Sequence, residues 1–177
     1  MSDALSSYAC LVVVDYPARR VPYALARMAF DPRELERTKC LLFWKLGGTG
    51  QGLGFSAWPN WNRYALFTTW MAEGAWWKFF AESPVIKRMK RYGREFWWVT
   101  LLPERSRGSW DGRSLFKICE NGVWEGPAAV LTRATIRLGR MARFWSEVGP
   151  VSAALTYISS SKWSSILCEG STALNFL

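Results

Sequence analysis

The spacing of hydrophobic residues changes several times in the first hundred positions, and each change predicts a secondary-structure element. Residues Ala9–Val14 form an apolar, β-branched run that ends at Asp15 and Pro17, which predicts a buried strand closed by a turn. From Val21 the apolar residues recur at helical spacing as far as Pro32. We therefore predict a helix that ends at Pro32.

The next segments continue this alternation of strands and helices. Residues 40–46 and 64–70 are typical of strands, residues 72–81 of a helix with an aromatic face, and residues 96–102 of a strand. A basic amphipathic segment, Lys87–Arg94, precedes that last strand. The order β-α-β-β-α-β indicates a ferredoxin-like unit, in which two helices cover one face of a four-stranded antiparallel sheet.

The second half of the chain repeats the opening theme. Residues 128–136 are typical of a strand and residues 138–148 of an amphipathic helix, as in the first strand and helix. Two generic strand-helix units would look similar by chance, and this reading stays open. We predict the α+β class, a duplicated ferredoxin-like unit resembling a dimeric α/β-barrel, with two strands and a helix missing from the second repeat. The predicted segments are a first repeat (1–104), a connector (105–126), the start of a second repeat (127–158) and an irregular tail (159–177).

Five glycines lie between Gly47 and Gly54, directly after a predicted strand. The spacing does not match a dinucleotide-binding loop, and no Gly-Lys-Ser or Gly-Lys-Thr follows as in a phosphate-binding loop. We predict a loop here, which is either a flexible loop beside a large ligand or simply a glycine-rich turn.

Composition and charge exclude several classes of site. The chain has no histidine, which excludes histidine-based triads, metal sites and general bases, and its four cysteines form no CxxC pair. The formal charge of +9 favours anionic lipid, nucleic acid or acidic partners. No apolar run reaches the roughly 18 residues of a membrane span, and no secretory signal is visible. We expect a cytoplasmic protein, with peripheral contact at the inner membrane as a further expectation.

Twelve tryptophans are more than a core of this size requires. Some of them could line a cavity or a membrane-facing surface, while core packing is the alternative for each one. Aromatic residues beside Lys87–Arg94 also suggest binding of single-stranded nucleic acid. Because no strand carries the aromatic signature of an RNA-binding sheet, we predict no nucleic-acid partner.

Four stretches are distinctive, namely KLGGTGQGLGFSAWPNWNRYALFTTW (45–70), AESPVIKRMKR (81–91), RSRGSWDG (105–112) and GPAAVLTRATIRLGRMARFW (126–145). Together they resemble the spheroidene monooxygenase family of bacterial carotenoid oxygenases. The resemblance covers about Tyr8–Val148 and implies an oxygen-dependent hydroxylase or ketolase of acyclic carotenoids such as spheroidene. It also implies haem, an apolar carotenoid-like substrate and an electron donor that the sequence does not identify. From about Ser159 the chain departs from the family pattern, which puts its activity in doubt if the iron ligand belongs to that part.

The resemblance nominates seven residues for cofactor or substrate binding. Cationic side chains beside an apolar pocket could pair with haem propionates or hold one end of the substrate. The alternative is structural, with the arginines solvated or in salt bridges. The seven residues are Lys45, Gly47, Gly50, Arg107, Gly108, Arg133 and Arg137.

Two further expectations concern the whole protein. A non-catalytic binder of a hydrophobic ligand at a membrane surface is the alternative to an oxygenase, because the tryptophans and the charge of +9 suit it equally. An incomplete second sheet would leave an open edge, which a second copy of the chain could cover, so we also expect a homo-oligomer.

Overall fold

The structure is a computed structural model and describes residues 8–51, 59–116, 131–135, 143, 165–169 and 172–176. Contacts within the chain divide it into two compact units. Unit 1 comprises residues 1–46 and 65–126, and unit 2 comprises residues 47–64 and 127–177.

Unit 1 contains the predicted order of strands and helices. Its sheet order is β4-β1-β3-β2, and β1 pairs with β4 in antiparallel register from Ala9 opposite Leu101 to Asp15 opposite Glu95. This is the strand order of a ferredoxin-like unit, which confirms the predicted fold class. The strands are β1 (Tyr8–Asp15), β2 (Leu41–Gly50), β3 (Pro59–Trp70) and β4 (Glu95–Leu101), and the helices are α1 (Val21–Glu36), α2 (Glu73–Glu82) and α3 (Pro84–Tyr92). Strands β2 and β3 each contribute one part to each unit.

The helices of unit 1 pack on one face of its sheet. The indole of Trp70, at the end of β3, has its centroid 6.0 Å from that of Trp76 and 5.0 Å from that of Phe79, both in α2. Trp70 and Trp76 have no exposed surface. Because side chains alternate between the faces of a strand, Phe67 and Thr69 of β3 lie on the face opposite to these helices.

A sharp break separates α2 from α3. Ser83 has an extended backbone (φ −60°, ψ 130°), and its hydroxyl accepts a hydrogen bond of 3.1 Å from the amide of Val85. Pro84 then begins α3, where its missing amide hydrogen costs no helical bond. The break therefore ends the aromatic helix α2 and begins the basic helix α3.

The predicted end of α1 at Pro32 is wrong, because the helix continues to Glu36 with Pro32 inside it. A proline in a helix interior removes one backbone hydrogen bond and crowds the preceding turn. Tertiary contacts on both sides of Pro32 offset this cost. The Asp31 side chain is buried in ion pairs, and Leu35 is 1% exposed in the core.

The glycines from Gly47 to Gly50 do not form the predicted loop, because β2 continues through them. In unit 2, Gly48 pairs with Cys168 and Thr49 with Leu167, in antiparallel register. Strand pairing uses backbone groups, which glycine supplies as well as any other residue. Residues 52–58, which hold the remaining glycines, lie outside the described part of the chain.

Unit 2 contains strands that the sequence did not predict. Its strands are β5 (Leu131–Thr135), β6 (Ser165–Glu169) and β7 (Thr172–Phe176), in the order β2-β6-β7-β5 with the end of β2. The strand predicted at 128–136 therefore exists as β5. The prediction of an irregular tail is wrong for residues 165–169 and 172–176, which pair with each other and with β2 and β5. The helix predicted at 138–148 lies outside the described residues.

Candidate functional site

An aromatic cluster lies on the face of the unit 1 sheet opposite to the helices. The indole of Trp110 stacks on the ring of Phe67 with centroids 5.5 Å apart and planes 16° apart. The ring of Phe43 from β2 lies 4.9 Å from the same indole at a tilt of 55°. All three side chains are buried. We name Phe43, Phe67 and Trp110 the Trp110 cluster.

A tight hairpin turn brings Trp110 to this face. The amide of Trp110 donates to the carbonyl of Arg113 over 2.8 Å, and the amide of Arg113 donates back over 3.0 Å. Both residues between them have positive φ, 54° at Asp111 and 76° at Gly112. This is a type I′ turn, which Asp-Gly favours because both residues tolerate left-handed backbone. The turn fixes the directions of the indole and of the Asp111 carboxylate together.

An ion pair forms the polar rim of the Trp110 cluster. The ammonium of Lys45 lies 3.1 Å from Oδ2 of Asp111, and it lies 5.8 Å from the centroid of the Phe43 ring. The Lys45 side chain is 17% exposed, whereas that of Asp111 is 48% exposed. A cation held between a carboxylate and an aromatic ring keeps a fixed position.

The structure brings three of the seven nominated residues into one region of unit 1. Lys45 lies at the rim of the Trp110 cluster, and the exposed Arg107 and Gly108 lie in the same short segment as Trp110. Gly108 has a φ of 85°, which favours glycine at that position. Of the other four nominated residues, three lie in unit 2 and one is outside the described residues. Gly47 and Gly50 lie in β2 and Arg133 lies in β5, all within unit 2, and Arg137 is outside the described residues.

The sequence alone did not single out Phe43, Phe67, Trp110 or Asp111. Their partnership joins two strands and a segment that we predicted as a connector, so no local spacing could reveal it. One signal was available. Asp111-Gly112 is the dipeptide that most strongly indicates a type I′ turn, and recognising it would have placed Trp110 on a hairpin rather than in a linker.

No protein-family model matches the chain. Three curated proteins named spheroidene monooxygenase are similar to it. That from Cereibacter sphaeroides is 34% identical over 110 residues, that from Rubrivivax gelatinosus 38% over 108, and that from Rhodobacter capsulatus 32% over 135. These matches cover 62%, 61% and 75% of this chain.

Over these stretches the chain is similar to spheroidene monooxygenases. It spans 34%, 42% and 56% of the lengths of those three relatives. The chain is also similar to solved structures. A monooxygenase from Streptomyces coelicolor shares 12% identity at a TM-score of 0.42, covering 58% of this chain and 91% of its own. A dimeric ferredoxin-like protein from an uncultured marine organism shares 7% at 0.41, covering 60% and 97%.

Haem, which the spheroidene monooxygenase resemblance implied, needs an axial ligand. The thiol of Cys10 has no exposed surface, and burial raises its pKa well above the ordinary range, so it is held as a neutral thiol. Burial also raises the pKa of the Tyr64 phenol. Within the described part of the chain, no group of three or more Cys, Asp or Glu side chains could hold a metal ion. Neither Cys10 nor Tyr64 therefore offers an ionised ligand to a haem iron.

Proposed function

We propose that this chain is part of a monooxygenase that acts on an acyclic carotenoid such as spheroidene, and that the Trp110 cluster holds the apolar chain of that substrate. The observation that carries the proposal is the stack of Trp110 on Phe67, flanked by Phe43 and closed by the Lys45–Asp111 ion pair. Similarity to the three spheroidene monooxygenases supports both the reaction class and the substrate.

The three rings are buried, so the substrate would lie along the outer edge of the cluster, next to the Lys45–Asp111 ion pair. Planar rings interact with a conjugated chain through dispersion and through burial of apolar surface. At the rim, the Lys45 ammonium is held in place by Asp111 and could donate a hydrogen bond to an oxygen atom at the end of the substrate. These side chains bind and orient the substrate. In the reaction, one atom of dioxygen enters a carbon-hydrogen bond and the other leaves as water, with two electrons and two protons supplied by a reduced donor protein.

Binding provides the first test. We expect Lys45→Met to weaken binding of an oxygen-bearing acyclic carotenoid by about tenfold, because a charge-assisted hydrogen bond is lost. Binding of a pure hydrocarbon carotenoid should change little. Titration into the purified full chain, followed by the absorption of the carotenoid, measures both affinities. Lys39→Met, at an exposed lysine just before β2, is the matched control. Equal losses for the two carotenoids would contradict the role of Lys45.

Turnover is tested separately. Purified full chain is incubated with spheroidene, isotopically labelled dioxygen and a reduced ferredoxin, both with and without added haem. We expect a product carrying one labelled oxygen atom. Absence of labelled product under both conditions, while spheroidene still binds, would show that the chain binds the substrate without catalysing its oxidation, which overturns the proposed activity.

A further inference from the structure

A continuous aromatic surface lies on α2 and the edge strand β4 of unit 1. Its centre is Phe80 of α2, whose ring centroid lies 5.8 Å from that of Trp77, 4.8 Å from that of Trp98 and 6.1 Å from that of Phe96. Phe96 and Trp98 are 6.0 Å apart on β4. We name Trp77, Phe80, Phe96 and Trp98 the α2–β4 surface. None of these residues belongs to the Trp110 cluster.

This surface is exposed although it is built from large aromatic side chains. Trp77 is 43% exposed and Trp98 is 41% exposed. The Trp77 indole donates a hydrogen bond of 3.0 Å to the Glu73 carboxylate, which holds its ring across the helix. Contiguous exposed aromatic residues cost solubility and indicate a surface that meets an apolar or interfacial partner. Indoles in particular favour the boundary between lipid headgroups and acyl chains.

Cations border the α2–β4 surface. The Lys90 ammonium lies 3.5 Å from the Phe80 centroid and 5.5 Å from the Phe96 centroid, and burial lowers its pKa from the ordinary lysine value. Residues 84–94 hold five basic side chains and no acidic one. Arg88 and Arg94 pair with acidic side chains of α1 and β1, respectively. The exposed basic residues of α3 are Lys87, Lys90 and Arg91, at the i, i+3 and i+4 positions of one face.

We infer that the α2–β4 surface and the basic face of α3 together dock the protein on an anionic phospholipid membrane. The tryptophans enter the headgroup boundary, and the lysines and arginine bind the lipid phosphates. No helix in the described ranges is long and apolar enough to cross a membrane, so contact through this surface is peripheral. Exposed Glu73, Glu82 and Glu95 are the acidic groups on or beside it, and six basic against three acidic side chains leave residues 73–101 net positive. The inference does not depend on the proposed function.

Vesicle binding by the full chain tests the charges first. Vesicles of phosphatidylcholine mixed with phosphatidylglycerol are compared with vesicles of phosphatidylcholine alone in a co-sedimentation assay. We expect Lys87→Gln/Arg91→Gln to weaken binding to the mixed vesicles by about thirtyfold, since each basic residue near an anionic surface contributes about fivefold. The matched control, Arg37→Gln/Lys39→Gln, removes the same charge after α1 and should change binding by less than about twofold.

The aromatic part of the α2–β4 surface is tested by Trp77→Ala. We expect this substitution to weaken binding to both kinds of vesicle by about tenfold. Phe30→Ala removes an equally exposed aromatic residue from α1 and should change binding little. Equal effects of the two charge variants, or of the two aromatic variants, would overturn the surface assignment. So would a stable dimer in light scattering that Trp77→Ala dissociates, because the occupant would then be a second copy of the chain. Preferential retention on an anionic oligonucleotide over mixed vesicles would likewise overturn it.

Discussion

Trp110→Ala is expected to lower the free energy of unfolding by about 3 to 5 kcal/mol, which is the usual cost of truncating a buried tryptophan. The side chain is 6% exposed and lies between the rings of Phe43 and Phe67. Truncation leaves a cavity on a sheet face that the surrounding strands cannot close, because their separation is set by backbone hydrogen bonds. Urea unfolding followed by circular dichroism measures the loss.

The matched control for this prediction is Trp61→Ala. Trp61 is 58% exposed in β3, so its removal should change the free energy of unfolding by less than about 0.5 kcal/mol. Trp110→Phe should retain most of the ring contacts and lose less than alanine does. If Trp110→Ala and Trp61→Ala lower the free energy of unfolding equally, the segment holding Trp110 does not pack on the sheet. The proposed substrate-binding face would then have no support.

Arg88→Met is expected to cost about 3 kcal/mol of unfolding free energy near neutral pH. The Arg88 guanidinium donates to Oδ1 of Asp31 and to Oε1 of Glu34, both over 2.7 Å. The Asp31 side chain is 3% exposed, and its second cation, Arg27, is 3.5 Å away. Removing Arg88 takes away the shorter ion pair of the buried Asp31 carboxylate and leaves it with the longer contact to Arg27, which compensates the buried charge less well. Methionine keeps the length and apolar stem of arginine, so the loss reports on the charge.

The cost of Arg88→Met should depend on pH in a defined direction. Burial raises the pKa of Asp31, and Arg88 lowers it in part, so the variant raises that pKa further. A carboxyl group whose pKa is higher in the folded than in the unfolded state destabilises the fold as pH rises through that interval. The cost should therefore be smaller at a pH near the unfolded value of about 3.9 than at neutral pH.

Two controls separate this effect from general loss of packing. In an Asp31→Asn background, the cost of Arg88→Met should lose most of its pH dependence, because no buried carboxylate remains to titrate. Arg33→Met changes an exposed arginine of α1 and should cost less than about 0.5 kcal/mol at either pH. A cost of Arg88→Met that is the same at both pH values would show that Asp31 is not the group left uncompensated.

The sequence predicted the elements of unit 1 well, because their patterns are local. Strand β1 is an uninterrupted apolar run, and α2 places Trp76 and Phe79 on one buried face. The errors come from non-local contacts. The helix α1 passes through Pro32 because Asp31 and Leu35 are held in the core, and β2 passes through Gly48 because β6 supplies its backbone partner. Strands β6 and β7 show no clean alternation of apolar and polar residues, so their sequences carry no local strand pattern.

The candidate site was less predictable than the fold. Lys45 was nominated by resemblance alone, whereas its ion-pair partner Asp111 lies in a segment that composition marked as a connector. The buried faces of Phe43 and Phe67 are evident only when Trp110 is placed over them. Residue spacing records which side chains share an element, but it does not record which elements meet. A site assembled from three separate segments therefore needs the structure.

The pairing of Gly48 with Cys168 has a consequence for synthesis on the ribosome. These two residues lie about two thirds of the chain length apart, whereas unit 1 uses only residues up to 126. Loop closure over such a separation is slow and waits for the later segment to emerge. Unit 1 is thus expected to mature first, while residues 47–50 at the end of β2 remain without their partner strand and available to chaperones until translation has passed β6.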